Sequence, residues 1–246
     1  MADALSPVEI SVVVPMHNEE GAVATLAHEI ATALDGFAYE MIFVDDCSRD
    51  RTRQILADLK AELPQLRALS HRSNAGQSRA IASGVHAARG AIVATLDGDG
   101  QNDPADLPRL IARLSRADAH PTLGLVQGRR TVRKDSAAKR IASRVANAVR
   151  KQLLGDGADD SGCGIKAFKR DAFLRLPYFD HMHRYMPALF LRDGSSVEYL
   201  DVHHRARETG ASKYTNVSRL VAALTDLIGV SWLRSRHRHT GGVDEA

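Results

Sequence analysis

The sequence predicts an α/β protein: a mostly parallel central sheet flanked by helices, followed by a C-terminal amphipathic helix. Three observations predict it. Short apolar runs with β-branched residues, Ile10–Pro15, Tyr39–Val44 and Ala91–Leu96, read as buried strands. Stretches with apolar residues at helical spacing lie between them, the alternation that builds a sheet covered on both faces. Each run also ends in a polar exit: Met16-His17-Asn18-Glu19, Asp45-Asp46 and Asp97-Gly98-Asp99. In a parallel sheet these exits share one edge, where α/β folds take their ligands.

Taken in order, Pro15 ends the first strand, and Asn18 is placed to cap a helix running to about Leu34, with Glu19 and Glu20 at its positive end. The second strand leaves through Asp45-Asp46-Cys47-Ser48-Arg49-Asp50. A helix over Thr52–Glu62 carries Ile55, Leu56 and Leu59, and Leu66–Ser70 reads as a third strand. Asn74-Ala75-Gly76 turns into a small-residue helix through Ala88, and the strand Ala91–Leu96 leads into Asp97-Gly98-Asp99-Gly100-Gln101-Asn102-Asp103-Pro104. Asp103 can cap the helix that follows and Pro104 can occupy its first turn. Leu107–Leu114 is helical, Leu123–Gln127 a strand, Ser196–Val202 a last strand, and about Asn216 to Arg234 a last helix.

Composition narrows the class. A chain of 246 residues can bury one substantial core without a second domain. Two cysteines, Cys47 and Cys163, form no disulfide framework, and residues 1–7 lack the regions of a signal peptide. No apolar run is long enough to span a bilayer. The expectation is a cytoplasmic protein, attached at most to the inner membrane surface. The net charge of +3 is unevenly spread: Arg129 to Lys151 holds nine basic residues and one acid, Asp135. Within it Ile141, Val145, Val149 and Leu153 mark an apolar stripe.

Asp97 and Asp99, one residue apart, with Gln101 two further on, offer hard oxygen ligands to Mg²⁺ or Mn²⁺, ions that complete their shells with water and substrate phosphates. The alternative is a solvated acidic turn. There is no Gly-x-Gly-x-x-Gly and no glycine-rich phosphate loop, so a nucleotide here is held by carboxylates and metal. The basic cluster reads as a solvated helix face or as a site for a phosphate-bearing lipid at an anionic surface. Nucleic acid is disfavoured, because no interleaved aromatics or nucleic-acid motif accompany it. On the last helix Val217, Leu220, Val221, Leu224, Leu227 and Ile228 form one face, followed by Trp232, Leu233 and Arg234, Arg236, Arg238. Such a face can lie in a bilayer interface, cover the sheet, or pair with a second subunit.

Seven segments in this order resemble the family-2 glycosyltransferases of the GT-A fold, and among them the polyisoprenyl-phosphate glycosyltransferases of the dolichol-phosphate mannosyltransferase type. They are Val14-Pro15-Met16-His17-Asn18-Glu19, Val44 to Asp50, Asn74-Ala75-Gly76, Leu96 to Gln101, Gln127-Gly128-Arg129, Asp160-Ser161-Gly162-Cys163-Gly164-Ile165-Lys166 and Arg207 to Tyr214. The resemblance implies inverting transfer of a sugar from a nucleotide-diphosphate sugar to a polyisoprenyl phosphate of the undecaprenyl or dolichyl type. It implies that Pro15, Asn18, Glu19, Asp45, Asp46 and Asn74 line the nucleoside pocket, with Asp46 accepting from the base. Asp97 lies beside the diphosphate and ribose, and Asp97, Asp99 and Gln101 form the metal set. Arg129, Arg140, Arg207 and Lys213 match the phosphate-binding cations, and Asp97, Asp99, Arg129 and Arg207 are the implied catalytic residues. The loop departs from the commoner Asp-Ala-Asp-Leu-Gln-His-Pro at Gly98, Gly100, Asn102 and Asp103, which permits a looser turn.

Residues 8–215 are thus expected to form the glycosyltransferase domain, and 216–246 a helix and basic tail for membrane or dimer contact. A phosphate acceptor is already largely a dianion at neutral pH, its second pKa being about 6, and needs no general base. A hydroxyl acceptor usually needs one. Asp180, His181 and His183 are the candidates for it, with packing or contact to the donor sugar as the other reading of His183. A hydroxyl-directed glycosyltransferase and a nucleotide-sugar-binding protein without turnover are the alternatives.

Overall fold

A computed structural model describes residues 8–116, 118–130, 150–205 and 216–238, with the side chains of the last helix from residue 223 onward. Strands β1 (Ile10–Met16), β2 (Tyr39–Asp45), β3 (Leu66–Ser70), β4 (Ile92–Thr95), β5 (Leu123–Arg130), β6 (Lys166–Lys169) and β7 (Ser196–Val202) form one sheet in the order β3-β2-β1-β4-β6-β5-β7. Four of them, β3, β2, β1 and β4, are parallel. β6 runs antiparallel between β4 and β5, and β7 pairs parallel with β5. The predicted mostly parallel sheet is therefore present, with β6 as the reversed strand.

Helices α1 (Val23–Ala33), α2 (Thr52–Glu62) and α4 (Leu107–Ser115) cover one face, and α3 (Gln77–Ala87), α5 (Arg170–Leu174), α6 (Met186–Arg192) and α7 (Asn216–Arg236) belong to the other. The alternation of strand side chains divides the core between the two faces. Ile10, Val12, Val14 and Met16 of β1 pack with Leu26, Ile30, Leu56 and Leu110, while Val13 joins Ile81, Val85, Phe168 and Phe190. Burial on both sides explains why these strands read as continuous apolar runs. Gly84 lets α3 sit against β1, since a Cβ there would come within 2.3 Å of Val13 Cγ1.

One local expectation is corrected. Asn18 does not cap α1; the helix begins at Val23 after Ala22, with no acidic residue in its first turn. Asn18 instead adopts a left-handed backbone (φ 55°), and its Oδ1 accepts from the Arg49 amide at 2.7 Å. The Glu19 and Glu20 amides donate to Thr52 Oγ1 and Asp50 Oδ2, so bonds across to the β2 exit displaced the local cap. Asp103 behaves as predicted: its Oδ1 accepts from the Ala105 amide and caps the 3-10 turn Pro104–Asp106 that leads into α4.

The stripe residues Ile141, Val145 and Val149 lie outside the described residues; residues 150–154 are helical. The last helix is docked by its inner side. Val230 is buried, Asp226 meets His181 at 3.0 Å, and Tyr185 Oη donates to the Ala223 carbonyl. No helix among the described residues is long and apolar enough to cross a membrane.

Candidate active site

From β1 the chain proceeds to β2 and β3 on one side and returns to β4 on the other, so the sheet has its topological switch point between β1 and β4. Ligands of open α/β sheets bind outside the carboxyl ends of the strands at such a point. The polar exits of β1, β2 and β4 lie on that edge, and hydrogen bonds tie them into one unit.

Asp46 is its organiser. Its carboxylate accepts from the Ala75 and Gly76 amides at 2.9 and 2.7 Å, and His71 Nδ1 lies 2.7 Å from Oδ1. His71 is in turn fixed by Ser83 through Nε2 at 2.9 Å. These bonds set the left-handed Gly76 (φ 85°) that starts α3. Asn74 Nδ2 donates to the Asp46 carbonyl, and His17 Nδ1 lies 2.9 Å from that same oxygen. Asp45, 1% exposed, accepts from the Ser48 amide. The carboxylate expected to accept from a nucleobase thus already holds the turn that faces it.

The first residue of α3 reaches β4: Gln77 Nε2 donates to Asp97 Oδ1 at 2.7 Å. The Asp97 amide donates to Asn102 Oδ1, closing the loop on itself. Gly98 permits the approach to β1, because a Cβ would lie 2.6 Å from the Pro15 carbonyl oxygen. Gly164 permits the approach from β6, because a Cβ there would lie 2.3 Å from the Asp97 carboxylate. Asp97 is half-buried, and its carboxyl is pushed up by desolvation and by Asp99, while Lys166 and Arg130 act in the opposite sense. Asp99 Oδ1 accepts from the Gln101 amide.

The two acids are therefore not equivalent. Asp97 is held from three sides within the protein, and Asp99 belongs to the turn beyond it. No cluster of three or more His, Cys, Asp or Glu able to hold a metal occurs among the described residues. Two carboxylates and an amide nonetheless fit Mg²⁺ or Mn²⁺, which commonly take one or two carboxylates and fill the remaining positions with water and phosphate oxygens.

The loop is braced from β7. Arg205 donates to Glu29 and contacts Asp103, each at 2.8 Å, and its amide bonds the Gln101 carbonyl. His203 donates its amide to the buried Asp106, and Asn102 bridges to His204. The two histidine positions thus brace the loop.

Of the expected phosphate cations, Arg140, Arg207 and Lys213 lie outside the described residues. Arg129 extends from the end of β5 to Asp201 of β7 at 2.7 Å, with Asp159 at 3.8 Å. It is the next residue, Arg130, whose charge acts on Asp97, and a bidentate pair with Asp160 holds it at 2.6 Å. Successive strand residues face opposite ways, so the alternation of β5 is the signal that separates the two arginines. Lys166, also absent from the predicted site set, is buried on β6, and its Nζ donates to the Cys163 carbonyl. Burial pushes the Cys163 thiol up to about 11, so it is a packing group rather than a nucleophile.

Among the base candidates, His183 is held neutral chiefly by burial and next by the charge of Lys166, with its Nδ1 2.7 Å from Ser78 Oγ. His181 has a left-handed backbone and faces Asp226. Asp180 accepts from the His181 amide, and its Oδ1 lies 3.5 Å from where a Gly76 Cβ would be. All three non-glycine residues with positive φ among those described, Asn18, Cys47 and His181, surround this edge. Such strain of roughly 1 kcal/mol or more per residue persists where neighbouring contacts enforce it.

The profile described as "Glycosyl transferase family 2" matches residues 11–176. The chain is 34% identical over 237 residues to the dodecaprenyl-phosphate galacturonate synthase of Rhizobium johnstonii, covering 93% of this chain and 68% of that one. It is 33% identical over 222 residues to the undecaprenyl-phosphate 4-deoxy-4-formamido-L-arabinose transferase of Pseudomonas fluorescens, covering 89% of this chain and 63% of the other. The chain thus spans about two thirds of the length of these relatives. Among solved structures, glucosyl-3-phosphoglycerate synthase from Mycobacterium tuberculosis, in complex with Mn²⁺, uridine diphosphate and phosphoglyceric acid, is similar in fold. The TM-score is 0.66 at 21% identity, over 95% of this chain and 80% of that one.

Proposed function

Because the chain belongs to glycosyl transferase family 2, we propose that it transfers a sugar, with inversion, from a nucleotide-diphosphate sugar to a polyisoprenyl phosphate. Mg²⁺ or Mn²⁺ at the acidic loop assists. The observation that carries this reading is the joining of the β2 and β4 exits by α3, through Asp46 to Gly76 and through Gln77 to Asp97, at the switch point of the sheet. The relatives whose names specify dodecaprenyl and undecaprenyl phosphate support the acceptor class.

In this reading Pro15, Asn18, Glu19, Asp45, Asp46 and Asn74 form the nucleoside side of the site. Asp99 and Gln101 hold the cation, with Asp97 behind them. When bound, the cation offsets the charge that grows on the departing diphosphate. Arg129, Arg140, Arg207 and Lys213 meet phosphate oxygens, a task suited to the planar guanidinium fork and the ammonium point charge. The acceptor phosphate attacks the anomeric carbon as a dianion, so no side chain must take its proton.

Residues 8–215 carry this chemistry and 216–246 contact the cytoplasmic face of the membrane. Support comes from Leu224, Ile228 and Trp232, which are 52%, 72% and 58% exposed, and from Arg234 and Arg236 in the last turn. Asp226 is turned inward to His181, so it adds no charge to the face that carries Leu224, Ile228 and Trp232. A second copy of the chain is the other partner that such a face accepts.

The test is incubation of the purified chain with Mg²⁺ or Mn²⁺, labelled nucleotide sugars and undecaprenyl phosphate in detergent. The expected result is label extracted into organic solvent as a lipid-linked sugar phosphate. Label found only on hydroxyl acceptors overturns the acceptor assignment.

A further inference from the structure

Asp97 and Asp99 stand one residue apart, and each additional negative charge makes the loop harder to keep ionised and harder for a diphosphate to approach. The cations acting on Asp97 are Lys166 and Arg130. Arg130 is neutralised at close range by both oxygens of Asp160. Lys166 is differently placed. It is 3% exposed, in β6, and pairs across to Thr95 of β4 and Gln127 of β5. Its Nζ donates to a neutral carbonyl, that of Cys163; burial pushes the ammonium's pKa down, and the Asp97 and Asp160 carboxylates act to keep it charged. Gly164, two residues earlier, packs directly against the Asp97 carboxylate. The same turn of chain therefore presses its backbone on Asp97 and, two residues on, carries a buried lysine opposite Thr95, itself two residues before Asp97.

We propose that Lys166 is the resident counter-cation of the acidic loop, a positioning residue that offsets Asp97 before a divalent ion arrives and draws the donor's diphosphate toward the loop. This inference rests on the donor reading given above. A buried charge has opposite effects on ligands of opposite sign. Lys166 weakens the loop's hold on a free divalent cation and strengthens its hold on an anion. A purely structural lysine has no such signature, because damage to the loop weakens both.

The experiment is calorimetric titration of the intact chain with Mn²⁺ alone and, separately, with inorganic pyrophosphate in the presence of EDTA. Lys166→Met is expected to bind Mn²⁺ about tenfold more tightly and pyrophosphate about tenfold more weakly. Lys166→Gln, which keeps a donor for the Cys163 carbonyl, is expected to shift both in the same directions and stands in if the Met variant fails to fold. Lys166→Arg keeps the charge and is expected to keep both affinities close to those of the unsubstituted protein. Parallel losses for both ions, or no change in either, overturn the proposal. Unsubstituted protein that binds no Mn²⁺ overturns the donor reading, and the proposal with it.

Discussion

At the exits of β1, β2 and β4, the charged groups are sunk into the edge of the sheet and bonded to backbone amides. Asp46 is 3% exposed and holds the Ala75–Gly76 turn, and Asp45 holds Ser48. Elsewhere charges meet one another near the surface instead: Arg129 of β5, 41% exposed, pairs with Asp201 of β7, and Lys151 of the helical residues 150–154 pairs with Asp159. A carboxylate bonded to amides in a buried turn fixes geometry before a ligand arrives, whereas an exposed ion pair exchanges partners at little cost. In the proposed reading the donor side is thus built into the scaffold, and the acceptor side offers Arg129 as a cation that a phosphate would recruit.

Variants on the two sides separate these behaviours. The largest effect is expected from Asp99→Ala, which removes the outward acid: kcat falls about a thousandfold, the scale of losing one preorganised charge at a transition state. Thermal unfolding of the variant is expected to stay close to that of the parent. Asp46→Ala strands the Ala75 and Gly76 amides and the His71 ring. It is expected to cost about 3 kcal/mol in urea unfolding, because buried donors lose their acceptor.

Gly164→Ala drives a methyl group into Asp97 and Asn102. We expect a drop in kcat of about tenfold and a loss of about 1–3 kcal/mol in urea unfolding, because Asp97 and Asn102 must give way. Asp201→Ala, on the acceptor side, is expected to leave the unfolding midpoint unchanged while lowering KM for the lipid phosphate, since Arg129 loses its competitor. A large stability loss in that variant erases the contrast between the two sides.

The edge carrying the β1, β2 and β4 exits was the legible one because buried parallel strands impose long apolar runs, and their ends stand out as sudden acids. Pro15, Asp46, Asp97 and the Asp103 cap were read from such patterns. Asn18 was misread because the bonds that outcompete its capping role come from Arg49, Asp50 and Thr52, some thirty residues away. The reversed strand β6 is four residues long, too short for periodicity to reveal its direction. The surroundings of Lys166 and Arg130 were not legible because the partners that bury them, Thr95, Gln127 and Asp160, are thirty or more residues away and are brought together only by the fold.

The central claim is that a divalent cation near Asp99 neutralises the diphosphate of the donor at the switch point of the sheet. Electron–nuclear double resonance of Mn²⁺ bound to the intact chain with a nucleoside diphosphate tests it most directly. The account predicts a phosphorus coupling of directly ligated phosphate that disappears in Asp99→Ala. Bound nucleotide without that coupling, or a coupling unaffected by the substitution, contradicts it.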